Sequence, residues 1–347
     1  MRQQNKSIAE MIETKNTYHE KLIDKFDRHI NYVRISVTDR CDFRCTYCMS
    51  EKMEFVPRAQ LLTLEEIEFI ARAFTELGVE KIRITGGEPL IRKNVMQLFE
   101  NIGKLPKLKE LTTTTNGSRL LTFAQPLKDA GVQRINVSLD SLDPERFRKI
   151  TRTGNLESVI SGIDKALSLD FKKLKINSVI LKNRNHDEVI DLVNFAIDRK
   201  IDISFIEEMP LGIIDEHNRD EVYYSSDQIR NDLECSHELI PTAISTGGPS
   251  RYYKIIGTET KVGFISPHSH NFCSQCNRVR LTAEGQLLLC LGQEHSVNLK
   301  KIIRKFPGDI EELKNAIRNA MDIKPKGHEF DLSEKPIIFR HMNVTGG

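Results

Sequence analysis

The chain has 347 residues, of which 39% are apolar and 29% charged, with 51 basic side chains against 49 acidic ones. A net charge of +2 excludes general nucleic-acid binding, which needs a strong basic excess, but leaves room for a local basic pocket that takes one anionic small molecule. No run approaches the roughly 18 apolar residues of a membrane span. Met1 to Glu20 lacks an apolar signal core, so the chain is read as cytoplasmic, with neither a membrane nor a nucleic acid as partner.

Residues 1–21 read as a charged, polar N-terminal extension. Asn31 to Thr38 then reads as a strand with Val33, Ile35 and Val37 on one face. Thr63-Leu-Glu-Glu66 is a capping box opening a helix that Gly78 stops. Strand and helix alternate from there: strands over residues 81–85, 110–115, 133–139, 173–181 and 202–207, and helices over about 94–102, 123–130, 143–151, 157–168 and 187–200. Asn185 is the expected cap of the last helix, with Glu188 closing its box. Six strands alternating with helices predict a parallel sheet with right-handed crossovers. Six units are too few for a closed eight-fold barrel, which leaves an open partial barrel or a doubly wound sheet, with the active site at the C-terminal strand ends in either case. After about Pro210 the alternation fails, and the rest reads as a second, less regular region.

Seven cysteines in a reducing compartment point to metal or catalysis rather than disulfides. Cys41, Cys45 and Cys48 form C-x3-C-x2-C directly after the first strand. Three thiolates can hold three irons of a cubane and leave the fourth open. A zinc site, which prefers four ligands, or three unrelated thiols are the alternatives. Cys273, Cys276 and Cys290 form C-x2-C-x13-C, again three thiolates, read either as a second cubane or as a zinc knuckle completed by His268 or His270. Thr85-Gly-Gly-Glu-Pro89 follows the second strand, where two glycines let backbone approach a neighbour closely. No P-loop is present, so a bound nucleotide would be held by side chains.

The first triplet and the Gly-Gly-Glu-Pro turn together resemble the radical SAM superfamily, whose open iron chelates S-adenosylmethionine (SAM) and yields a 5′-deoxyadenosyl radical. By that resemblance Tyr47, Gly87, Glu88, Ser138 and Met209 bind SAM. Ser266 to Leu281, Cys290 to Glu294, Arg34 to Cys41, Lys81 to Pro89, Thr114 to Gly117 and the terminal Gly346-Gly347 resemble the GTP 3′,8-cyclase family from about Leu22 to Gly347. The resemblance implies an α/β partial (βα)6 TIM-like barrel over residues 22–222 and a region over 223–347 that carries a second iron–sulfur cluster. It implies two [4Fe–4S] clusters and SAM as cofactors. It also implies cyclisation of GTP to (8S)-3′,8-cyclo-7,8-dihydroguanosine 5′-triphosphate, the first step of molybdenum cofactor biosynthesis, in a lyase of that pathway. Further implied partners are an electron donor, a downstream cyclic pyranopterin monophosphate synthase and a second copy in a homodimer. GTP contacts are implied for Arg34, Arg83, Thr114, Lys175, Arg278, Val279 and Arg280, and Lys81 joins them because it shares a strand face with Arg83. Arginine suits this role because its rigid fork binds phosphate oxygens in pairs. Arg278, Arg280 and the tail glycines Gly346 and Gly347 are implied in turnover.

Two departures from the family stand out: Ser204, where arginine is usual, and Thr345, where an apolar residue is common. Asp42 replaces a frequent asparagine. The rivals are a peptide-modifying radical SAM enzyme, which would want further C-terminal cysteines; a non-catalytic iron–sulfur carrier, which would not need the Gly-Gly-Glu-Pro turn or the arginine pair; and a paralogue that keeps the clusters without GTP turnover, whose one sequence support is Ser204.

Overall fold

A computed structural model describes residues 21–214, 217–330 and 338–346. The sequence-read strands form close to their expected bounds: β1 (Tyr32–Ser36), β2 (Lys81–Thr85), β3 (Glu110–Thr115), β4 (Arg134–Ser138), β5 (Lys173–Val179) and β6 (Asp202–Ile206). Helices over Leu64–Glu76, Val95–Gly103, Leu120–Asp129, Pro144–Thr151, Leu156–Leu167 and Val189–Asp198 connect or cover them. The Thr63 capping box is complete: Glu66 N donates to Thr63 Oγ1 at 3.1 Å and Thr63 N to Glu66 Oε2 at 2.8 Å. Gly78 follows with φ +87, the left-handed conformation that ends a helix at little cost in glycine.

One expectation fails. Asn185 makes no side-chain cap, and the helix begins only at Val189, after a 3-10 turn over His186–Glu188. The buried Asn185 amide instead accepts from Leu181 N at 2.7 Å and donates to Asp140 O at 2.7 Å, knitting the ends of β4 and β5 together. Glu188 accepts from Ser141 Oγ and Leu142 N, both at 2.7 Å. Buried polar groups are costly unless bonded, and here the tertiary partners outcompete the local cap.

The C-terminal region continues the same sheet. Strands β7 (Leu239–Pro241), β8 (Arg251–Ile255), β9 (Lys261–Ile265), β10 (Arg278–Leu281), β11 (Gln286–Leu288) and β12 (Ser296–Asn298) extend it to the order β12-β11-β10-β1-β2-β3-β4-β5-β6-β9-β8-β7. Both joins are parallel, β10 on β1 and β9 on β6. These strands lack a helix-period segment between them, which is why the sequence alternation ends while the parallel sheet does not. Period two then sorts the faces. Val33, Ile35, Ile82, Ile84, Ile135, Val137, Ile176 and Ile203 are wholly buried in the core. Burying such a side chain stabilises by about 1.5–3 kcal/mol. Tyr32, Arg34, Lys81, Arg83, Thr114 and Lys175 point the other way, into a deep cavity. Among the described residues no helix is long and apolar enough to cross a membrane.

Candidate active site

Both cysteine triplets line this one cavity. The first occupies the loop after β1. Arg44 N and Thr46 N donate to Thr151 O and Ile150 O at 2.9 Å each, tying the loop to the end of the Pro144–Thr151 helix. Asp42 accepts from Asn116 Nδ2 and Ser118 Oγ at 2.7 Å each, so the carboxylate at this position fixes the loop to the end of β3. Asn116 Nδ2 also donates to Cys41 Sγ at 3.6 Å. The glycine turn packs against the same loop. A Cβ on Gly87 would lie 1.9 Å from Arg40 O, which only glycine avoids. Glu88 is wholly buried and accepts from Thr115 Oγ1 at 2.8 Å, Asn116 N at 2.7 Å and Leu90 N at 3.0 Å, so its carboxylate organises the β3 end. Burial pushes that carboxyl up to about 7. Tyr47 donates to Asp140 Oδ2 at 2.7 Å, and Tyr47, Ser138, Met209 and Val279 all line the cavity.

Burial raises Cys290 as it raises the thiols of the first triplet, and Cys276 stands apart from them. Burial, then the neighbouring Cys48 and Asp140, pushes Cys45 well above the ordinary thiol value, and burial pushes Cys48 up to about 12. Burial also raises Cys276, but the charges of Arg278, Lys324 and Arg28 outweigh it and leave the thiol below its ordinary value. Thiols bind metal as thiolates, so loading the first triplet must expel protons that burial holds on.

The donor sets suit clusters better than single ions. Among the described residues no group of three His, Cys, Asp or Glu side chains is placed to hold one metal ion. A cubane puts each thiolate on a different iron, whereas a structural zinc draws its four ligands onto one atom. His268 and His270 do not complete a zinc knuckle. The first meets Glu208 O at 2.8 Å and the second Asp227 at 3.1 Å.

Parallel register assembles the cations. Arg34 is the partner of Arg280 on one side and of Arg83 on the other; Tyr32 lies likewise between Arg278 and Lys81. Three strands distant in sequence thus present a continuous basic row on the inner face. Arg83 donates to Tyr32 OH at 2.7 Å and to Thr114 Oγ1 at 3.1 Å. Lys81 pairs with Glu110 at 3.2 Å. For Arg83, Lys175 and Arg280 no carboxylate lies in ion-pair range among the described residues. Burial beside Arg83 and Arg278 lowers Arg34 to about 10, and burial beside Arg34 and Arg278 takes Arg280 well below its ordinary value. A buried cation without an acidic partner is costly, so an anion is the chemical complement of Arg83, Lys175 and Arg280.

The position of Ser204 is filled by hydroxyls rather than by a compensating cation. Its Oγ accepts from Lys175 Nζ at 3.1 Å and meets Ser250 Oγ at 2.9 Å, while Lys175 Nζ reaches Tyr252 OH at 3.2 Å. Gly263 makes the room, since a Cβ there would stand 2.1 Å from Ser250 Oγ. The tail also enters the cavity wall. Gly346 O accepts from Arg34 Nη2 at 3.0 Å and from Arg280 Nη1 at 2.5 Å. Thr345 is buried, with its hydroxyl satisfied by Met342 O at 3.0 Å. Gly347 lies outside the described residues.

Sequence reasoning missed Tyr32, Tyr252, Arg28 and Lys324. Tyr32 was findable, since it sits two residues from Arg34 on the same strand face. Burial raises its phenol, but Arg83, Arg34 and Lys81 together bring it down to about 7. A polyanion bound in this row would raise it again, so binding and ionisation of Tyr32 oppose each other. Affinity for a triphosphate is therefore expected to fall as pH rises above about 7, by up to about tenfold per pH unit. Anaerobic titration calorimetry of Tyr32→Phe against the parent checks this. The parent-to-variant affinity ratio must fall across that window, and a flat ratio rejects an ionising Tyr32.

The sequence matches the Radical SAM superfamily over residues 35–196 and Molybdenum Cofactor Synthesis C over residues 201–330. It is 59% identical over 326 residues to GTP 3′,8-cyclase of Saccharophagus degradans, covering 94% of this chain and 98% of that protein. It is 58% identical over 327 residues to GTP 3′,8-cyclase of Pseudomonas entomophila, again covering 94% and 98%. Among solved structures, Streptococcus suis SuiB bound to S-adenosylmethionine matches with a TM-score of 0.63 at 16% identity, covering 95% of this chain and 80% of that one, a likeness of fold alone. The chain belongs to the GTP 3′,8-cyclase family of radical SAM enzymes.

Proposed function

We propose that the protein converts GTP to (8S)-3′,8-cyclo-7,8-dihydroguanosine 5′-triphosphate, the first step of molybdenum cofactor biosynthesis. The observation that carries this reading is the in-register basic row Arg280–Arg34–Arg83, which stands in one cavity with two cysteine triplets. Cys41, Cys45 and Cys48 would hold the cluster that binds SAM, with Tyr47, Gly87, Ser138 and Met209 around the cofactor. Cys273, Cys276 and Cys290 would hold the second cluster. When bound, the first cluster and SAM supply a 5′-deoxyadenosyl radical that removes hydrogen from a substrate carbon.

The chain's own residues then have separable tasks. Arg34, Arg83, Lys81 and Lys175 neutralise the triphosphate, which is held and not transferred. Thr114 adds a polar contact and orients Arg83. Ser204, Ser250 and Tyr252 aim the Lys175 ammonium in place of a second long cation. Arg278 and Arg280 lie between the second triplet and the tail and fix the nucleoside end. The protein supplies placement, and the cofactor supplies the hard chemistry. An electron donor, and a synthase that turns the cyclised nucleotide into cyclic pyranopterin monophosphate, complete this reading.

The test is anaerobic. Protein reconstituted with iron and sulfide is given dithionite, SAM and each nucleoside triphosphate in turn, and 5′-deoxyadenosine and cyclised nucleotide are quantified. GTP-dependent formation of both is expected, with Ser204 in place. Two loaded clusters with no product from GTP would reject the assignment.

A further inference from the structure

Lys324 stands just beyond the Ile310–Asp322 helix and is only 1% exposed. Its ammonium donates to Arg278 O at 3.2 Å and to Leu289 O, and it lies 3.9 Å from Cys276 Sγ. Arg278 follows Cys276 by two residues and Leu289 precedes Cys290 by one, so a single side chain joins the two segments that carry the second triplet. Arg28 acts from the opposite end of the chain. It donates to Cys273 O at 2.9 Å, to Lys326 O at 2.7 Å and to Pro325 O at 2.7 Å. That draws the Cys273 turn onto the segment that follows Lys324. The two cations differ in one respect. Arg28 is neutralised by Asp24 at 2.6 Å, whereas no carboxylate pairs with Lys324 among the described residues.

We propose that Lys324, with Arg28 as its scaffold, is the positioning residue that brings Cys273, Cys276 and Cys290 into one iron–sulfur site and offsets the negative charge of the cluster held there. The inference rests on the reading of that triplet as a cluster site. Three thiolates bring negative charge into a poorly hydrated pocket, and a buried ammonium lacking its own counter-ion is the natural complement. Groups just behind metal ligands orient them and tune the metal, and their loss commonly costs 10- to 100-fold in metal affinity. A cation beside the cluster also favours the added electron, so its removal makes reduction harder.

The experiment compares the parent holoenzyme with Lys324→Met, Lys324→Gln and Lys324→Arg. Iron release under a chelator gives retention, and redox titration followed by electron paramagnetic resonance gives the midpoint potential. SAM shifts the signal of the first cluster, which separates the two clusters and reports that the fold is intact. Lys324→Met is expected to lose the second cluster roughly 10-fold faster or more, in the range for such outer partners. Lys324→Gln, which keeps a donor for the two carbonyls, is expected to hold more cluster than the methionine variant, at a more negative potential. Lys324→Arg restores the parental potential. Parental retention and potential in both neutral variants would overturn the proposal while leaving the second cluster standing. A parent that loads only the first cluster would remove the cluster reading and the proposal together.

Discussion

Cys45→Ala is expected to end all formation of 5′-deoxyadenosine, whereas Cys276→Ala keeps an uncoupled fraction of it while cyclised nucleotide disappears. The difference follows from how the two triplets are built. Cys41, Cys45 and Cys48 sit on a single short loop pinned by the Pro144–Thr151 helix and by the end of β3. On the proposed reading, losing one of these three thiolates removes one ligand of the SAM-binding cluster. The second triplet is held by different segments, Arg28 and Lys324 among them, and shares none of those ties. Damage to it therefore leaves the SAM end intact and acts on the nucleotide. Iron content and both products, measured for each variant under strong reductant, check the division. Identical behaviour of Cys45→Ala and Cys276→Ala would reject separate roles for the two sites.

Much of this was legible in the sequence because the informative residues lie in local patterns. The capping box at Thr63, the period-two strands and the strand-end position of each motif all depend on neighbours within a few residues. The Asn185 cap failed where a buried side chain found partners just past the ends of β4 and β5 instead. Register was the larger gap. Nothing in the segment around Arg278 says that it will lie in parallel beside β1, yet that pairing is what places Arg280 next to Arg34. Lys324 was invisible for a related reason. A lysine after a helix reads as a solvated charge, and only the convergence of three segments buries it.

Removal of Gly346 and Gly347 is expected to leave both clusters loaded while product formation falls by about 100-fold or more. Gly346 O is the acceptor for both Arg34 and Arg280, the two arginines that face each other across β1 and β10. Hydrogen bonds from charged donors are worth roughly 1.5–3 kcal/mol each, and losing two such bonds at the reacting geometry corresponds to about two orders of magnitude or more in rate. The side chain is excluded as firmly as the carbonyl is required. Gly346 has φ +78, and a Cβ there would stand 2.3 Å from Thr85 Oγ1. Gly346→Ala should therefore reproduce most of the loss with the chain length unchanged. Because Gly346 O orients both arginines, kcat should fall more than KM rises in both variants. The effect is read from single-turnover formation of cyclised nucleotide, alongside GTP affinity measured without SAM. Full turnover in the truncated protein would show that Arg34 and Arg280 need no partner from the tail. A loss confined to KM would make the tail part of the binding surface alone.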